Sequence, residues 1–126
     1  MLSVVIACHN DPDICNTVQS LRAFAPDTLD IVVVDDASAP PVAMGQEFRC
    51  RVVVGDHRLG VGPARHQGIV RAANEWVLVT DAHMRFLPGW YEAALAAIRE
   101  SPSASTLWCG QCIGLDRHNM DPEASN

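Results

Sequence analysis

Asp81 and His83 stand two residues apart, directly after the apolar run of residues 76–80. If the chain stays extended there, the two-residue period of a strand points both side chains to one side. A carboxylate oxygen and an imidazole nitrogen so placed can share one borderline divalent ion such as Mn²⁺, or Mg²⁺ in its stead, and that ion would neutralise a diphosphate. The same tripeptide also serves as a plain turn, with Asp81 capping the next segment and His83 in solvent, so the spacing alone leaves both readings open. Asp35-Asp36, after residues 31–34, sets two like charges side by side. Such a pair binds a cation or accepts hydrogen bonds from the N–H and hydroxyl groups of a base or ribose. Its structural alternative is a solvent-facing loop in which Asp36 or Ser38 caps a turn. Arg65 follows Gly60-Val61-Gly62-Pro63, where glycine lets the backbone approach a ligand and Pro63 suits the first turn of a helix. An arginine there can grip phosphate oxygens with two N–H groups beside the positive end of the helix. Otherwise it pairs on the surface with Glu75 or Asp56.

Cys109-Gly110-Gln111-Cys112, behind Trp108, has the spacing of a redox dithiol or of half a zinc site, with His118 as a third ligand. The redox reading is set aside because it needs a helix and more sheet after the motif, and only 14 residues follow Cys112, with Gly114 and the polar tail opposing a long helix there.

These groups need elements to position them. Four short runs rich in Val and Ile, residues 2–8, 31–34, 51–54 and 76–80, read as buried strands. Val18, Leu21 and Phe24 recur at helical spacing, as do Ala64, Gly68, Ile69 and Ala72. Pro88-Gly89-Trp90 opens a further helix through Ile98, ended by Ser101-Pro102, and a last strand is placed over residues 106–113. Strands alternating with helices need crossovers, so the expected fold is α/β, a doubly wound and mostly parallel sheet. Ligands of such sheets sit beyond the carboxyl ends of the strands. The segments that follow the strands here begin at Cys8-His9-Asn10-Asp11, Asp35-Asp36-Ala37-Ser38, Gly60-Val61-Gly62 and Asp81-Ala82-His83, and all four should converge on one edge.

The chain has 126 residues, 48% of them hydrophobic and 19% charged, which suits one domain with a buried core. A net charge of -6 argues against a nucleic-acid surface, since phosphate backbones are held by clustered Lys and Arg. Five cysteines, an odd number thinly spread, point to a reducing compartment and hence a cytoplasmic location. Residues 2–8 are too short for a membrane span and lack the basic start of a signal peptide. Residues 116–126 carry no apolar periodicity and read as a polar tail or a truncation point.

The segments Ser3-Val4-Val5-Ile6-Ala7-Cys8-His9-Asn10-Asp11, Ile31-Val32-Val33-Val34-Asp35-Asp36-Ala37-Ser38, Gly60-Val61-Gly62-Pro63-Ala64-Arg65-His66-Gln67-Gly68 and Asp81-Ala82-His83 together resemble glycosyltransferase family 2 and the related polypeptide N-acetylgalactosaminyltransferases. Their order and spacing match over about residues 2–115. The D-x-H form, with Pro88-Gly89-Trp90 just beyond, is closer to the second group. The resemblance implies a GT-A, Rossmann-like nucleotide-diphospho-sugar transferase fold, truncated here, with residues 1–115 as the N-terminal part of the nucleotide-sugar-binding domain.

By the same resemblance, Ala7 contacts the nucleotide through its backbone, His9 lies against the uracil, Asp36 hydrogen-bonds the base, and Arg65 supports the nucleotide or its diphosphate. Asp81 and His83 hold Mn²⁺, Asp81 also facing the nucleotide. His9 stands where the family usually has Tyr. The implied activity is transfer of a hexosyl or N-acetylhexosaminyl group from a UDP-sugar to a saccharide, lipid or peptide acceptor. The acceptor half and the catalytic base are expected downstream, which makes this chain a donor-binding fragment with its catalytic residue unknown. Two rival readings are a regulatory fragment that has lost catalysis and a non-catalytic nucleotide- or dinucleotide-binding module. Gly60-x-Gly62 with Asp81 about 20 residues on suggests the module. It fits less well, because Arg65 stands at the third glycine position and a loop separates Val54 from Gly60 where that fingerprint needs an immediate turn.

Overall fold

The first strand, β1 (Leu2–Cys8), sends alternate side chains into two different cores, and the fold grows from that alternation. The computed structural model describes residues 1–110 and Cys112. After β1 come α1 (Ile14–Ala23), β2 (Asp30–Asp35), a single 3-10 turn (Gln46–Phe48), β3 (Arg51–Val54), α2 (Val61–Arg71), β4 (Trp76–Thr80) and α3 (Trp90–Glu100). The four apolar runs are the four strands, β2 extending one residue further at each end than the run of Ile and Val.

All strand pairs are parallel and the order is β3-β2-β1-β4, with Val5 opposite Val32 on one side and Val79 on the other. Leu2, Val4, Ile6 and Cys8 join Ile31 and Val33 against Ile14, Val18 and Leu21 of α1. Trp90, Tyr91, Ala94 and Ile98 of α3 pack onto the same core. Val5, Val32 and Val34 form the second core with Ala64 of α2. Helices therefore cover both faces, as a doubly wound sheet requires, and burial on both sides is why the central strands are continuously apolar.

α2 lies so close to the sheet that Gly68 leaves no room for a methyl group, which would run into the side chains of Val5 and Val34. Ser3, the one polar residue inside β1, is fully buried and donates to Asp30 Oδ2 at 2.7 Å. Asp30 also accepts from Ala73 N and from Arg51, tying the amino-terminal strand ends together opposite the functional edge. Arg22 is buried on α1 without a carboxylate, and its guanidinium donates to the carbonyls of Leu29, Phe48 and Arg49.

Residues 106–110 form no strand. Thr106 donates its hydroxyl to Ser103 O, and the Trp108 indole donates to Ser101 Oγ at 2.7 Å, folding the segment back on the end of α3 instead of along a strand. Leu107 and Trp108 remain exposed, and Cys109 and Cys112 are free, exposed thiols. Gln111, the residues from Ile113 onward, His118 and the tail expected over 116–126 lie outside the described residues. No helix among the described residues is long and apolar enough to cross a membrane.

A cleft at the carboxyl ends of the strands

The chain runs outward from β1 through β2 to β3, and α2 then carries it back to β4 on the other side of β1. The reversal opens a crevice beside the carboxyl end of β1, where open α/β sheets bind ligands. A cleft of about 200 Å³ lies there, lined by residues that follow all four strands. Ala7, His9, Asp36, Asp81 and His83, five of the six residues singled out from the sequence, share its wall with Asp11, Arg58 and Val61. Arg65, the sixth, reaches it through its ion pair with Asp81, Nη2 to Oδ1 at 2.7 Å.

The two adjacent aspartates after β2 separate completely. Asp35 is fully buried and accepts from Ser38 N at 2.9 Å and Val42 N at 2.7 Å, which shapes the loop that follows it. Burial alone would raise its pKa, but the hydrogen bonds from Ser38 and Val42 win and hold it below the usual carboxylate range. Asp36 turns the other way. Its oxygens accept from Leu59 N at 2.7 Å and Gly60 N at 2.9 Å, and Arg58 Nε lies 3.9 Å off. Asp36 thus fixes the approach to α2 from across the cleft, and a carboxylate with about four acceptor directions keeps capacity for a ligand's N–H.

His9 donates from Nδ1 to the Asp36 carbonyl at 2.7 Å, which sets its tautomer because a carbonyl only accepts; Asn10 Nδ2 then donates to Nε2 at 3.2 Å. Asn10 adopts a left-handed φ of 50°, which asparagine tolerates, and ties the loop to β2 by accepting from Ala39 N. Cys8 is buried and its thiol is pushed up by that burial, so it is wall and not nucleophile.

Beyond β4 the strand's alternation continues: Thr80 and Ala82 are buried, while Asp81 and His83 are exposed and line the cleft together. His83 Nδ1 donates to Asp11 Oδ2 at 2.8 Å, and this bond raises the imidazole's pKa. Among the described residues, no three His, Cys, Asp or Glu side chains gather as a ready-made cation cage. Asp81 and His83 offer one carboxylate and, in the neutral ring, the Nε2 lone pair. That donor set suits a borderline divalent ion whose other positions are filled by ligand and water oxygens. Among the described residues, Arg65 Nε is buried with no hydrogen-bond partner, and α2 begins at Gly60 and Val61 with no side-chain cap.

Arg58, Asp11 and Val61 also line the cleft; Asp11 and Val61 fall within the quoted segments, whereas Arg58 is signalled only by its position between the carboxyl end of β3 and the start of α2.

Fold and cleft together define a parallel α/β protein of the GT-A architecture with its ligand edge at a switch point. The chain belongs to the glycosyl transferase family 2, whose model matches residues 3–123. It is 31% identical over 112 residues to mouse polypeptide N-acetylgalactosaminyltransferase 15, covering 80% of this chain and 18% of that protein. It is 35% identical over 86 residues to the succinoglycan biosynthesis protein ExoO of Rhizobium meliloti, covering 64% of this chain and 25% of that one. The crystal structure of residues 1–349 of TarS from S. aureus superposes with a TM-score of 0.66 at 26% identity, covering 79% of this chain and 32% of that one. The chain thus spans about a fifth to a third of the length of these three proteins.

Proposed function

We propose that this chain binds a UDP-sugar along the cleft, with Mn²⁺ or Mg²⁺, as the donor-binding part of a glycosyltransferase that passes the sugar to a saccharide, lipid or peptide acceptor. The observation that carries this reading is the meeting of Asp36, Arg58, Arg65, the uncapped start of α2, Asp81 and His83 at one strand edge. Ala7 and His9 form the floor beside Asp36, where a planar base would lie, and Asp36 would accept the base N–H. Arg65, drawn to the cleft by its ion pair with Asp81, and the N-terminus of α2 would meet the diphosphate.

Charge supports the cation. Asp11, Asp36 and Asp81 outnumber Arg58 and Arg65 around the cleft, so a diphosphate arriving beside Asp81 meets repulsion unless a divalent ion accompanies it. Asp81 and His83 would hold that ion, and Arg65 would then be free to pass from Asp81 to a phosphate oxygen. When bound, the ion neutralises the diphosphate that leaves as the sugar's glycosyl bond breaks. The name of the mouse relative makes UDP-N-acetylgalactosamine the first donor to try. A cytoplasmic location would suit the five free thiols.

Titration calorimetry with UDP tests the reading. Mn²⁺ should tighten binding in the parent, and Asp81→Ala or His83→Ala should each remove most of that gain. Equal metal dependence in the parent and both variants would sink the assignment.

A further inference from the structure

The turn that carries Asp81 and His83 is not held by β4 alone. Asp13, at the N-cap of α1, and Thr17 and Ser20 on the helix lie four and three residues apart, hence along one stripe. Each of them takes hold of the segment that follows β4. Thr17 is fully buried; its hydroxyl donates to Ala82 O at 2.7 Å and accepts from Met84 N at 3.0 Å. Ser20 Oγ accepts from Phe86 N at 3.0 Å. Asp13 receives both terminal nitrogens of Arg85, at 2.6 and 2.8 Å. Ahead of the helix, Asp11 accepts from His83 Nδ1.

We propose that Thr17 and Asp11 are positioning residues that preorganise Asp81-Ala82-His83 for a divalent cation, Thr17 through the backbone of the turn and Asp11 through the imidazole. The inference rests on the cation reading of the cleft given above. By fixing both backbone groups that flank His83, Thr17 sinks Ala82 into the core and so turns its neighbours Asp81 and His83 outward. Asp11 holds the proton of the neutral ring on Nδ1, which leaves Nε2 as the ligating nitrogen. Partners of this kind, one step behind the ligands, typically change metal affinity by about 10- to 100-fold when removed.

Thr17→Val keeps the shape and deletes the hydroxyl, whereas Thr17→Ser keeps the hydroxyl. The affinity for Mn²⁺ in the presence of UDP is read by calorimetry, with metal-free UDP affinity as the reference. Nitrogen NMR of His83 reports its tautomer in the parent and in Asp11→Asn. Thr17→Val should weaken Mn²⁺ binding by about 10-fold or more while metal-free UDP binding stays within about twofold, and Thr17→Ser should recover most of the loss. Asp11→Asn should shift the neutral ring of His83 away from the Nδ1–H form and weaken Mn²⁺ to a similar degree. A folded Thr17→Val chain that binds Mn²⁺ as tightly as the parent overturns the proposal, as does an unchanged tautomer in Asp11→Asn. Should Thr17→Val not fold, Asp11→Asn decides the matter, since the amide oxygen can still accept from Asp13 N while the amide nitrogen takes the place of the oxygen that meets the exposed ring. A parent that shows no Mn²⁺ effect sinks the cation reading and this inference with it. A parent effect undiminished in the positioning variants sinks this inference alone.

Discussion

Asp35 and Asp36 show how much hangs on a single position. They are neighbours of the same type, yet one shapes the loop after β2 and the other reaches across to Leu59 and Gly60. Period-two geometry makes them point to opposite sides where the strand ends. Asp36→Ala removes the acceptor of two backbone N–H groups in a half-exposed loop that water can reach, and should lower stability to urea by about 0.5–1.5 kcal/mol, the usual net worth of a hydrogen bond. Asp36→Asn keeps one acceptor and should fall between the two. The alanine variant should also lose part of the preference for UDP over ADP and GDP in calorimetry, because the proposed base acceptor is gone. Undiminished stability would mean that the contacts to residues 59 and 60 contribute nothing.

At the scale of elements, two contacts decide how the helices sit. Arg85 grips Asp13 with two nitrogens and holds its carboxyl down at about 2, against an ordinary value of 3.8. A depressed folded pKa gives stability that is fully present above about pH 4 and is lost as pH falls towards 2. The side chains are largely but not wholly shielded, so the contribution at neutral pH is about 1–2 kcal/mol. Urea titrations of the parent and Asp13→Asn should therefore differ by a constant amount from pH 7 to about 5 and converge towards pH 2. A gap that is independent of pH would show that the ion pair is not its source. On the other face, Gly68 lets α2 lie tight against Val5 and Val34 of the sheet. Gly68→Ala improves helix propensity by about 1 kcal/mol but must displace Val5 or Val34, so a net destabilisation of about 1–2 kcal/mol is expected in thermal or urea unfolding. A stabilised variant would mean that α2 can lift from the sheet at no cost.

Over the whole molecule, the cleft is assembled from the segments after four strand ends that the described residues contain, and as the proposed donor site it should be stabilised by UDP with Mn²⁺ through mass action. At about 100 times the dissociation constant the gain is about 2.7 kcal/mol, on the order of 10 °C in melting temperature for a chain of this size. No shift with UDP and Mn²⁺ at millimolar concentration would count against a donor site. Transfer is a different matter. This chain spans 18% of the mouse relative and 25% of the Rhizobium one, and positioning of acceptor and base supplies much of any transferase's rate. Incubated with radiolabelled UDP-sugars and mixed acceptors, the 126-residue chain should show at most slow hydrolysis of the donor. Robust transfer that vanishes in Asp81→Ala would instead place the base among residues 84–126.

The sheet and its carboxyl edge follow from the local pattern of the chain. Residues 2–8, 51–54 and 76–80 are strands over those same bounds, because burial on both faces leaves an uninterrupted apolar run that ends where the backbone meets polar residues. The rule that ligands gather beyond the carboxyl ends then brought Ala7, His9, Asp36, Asp81 and His83 to one cleft. The segment expected as a strand over 106–113 shows where local pattern fails, since residues 106–110 fold back onto α3 through side-chain bonds that no periodicity announces. Only the tertiary structure decided the partners. It pairs Arg65 with Asp81 and not with Glu75 or Asp56, gives Asp36 to the loop before α2, and sets Thr17 beneath Ala82. Composition and spacing describe one element at a time, whereas these bonds join groups 16, 23 and 65 residues apart, which meet only after the crossovers have been made.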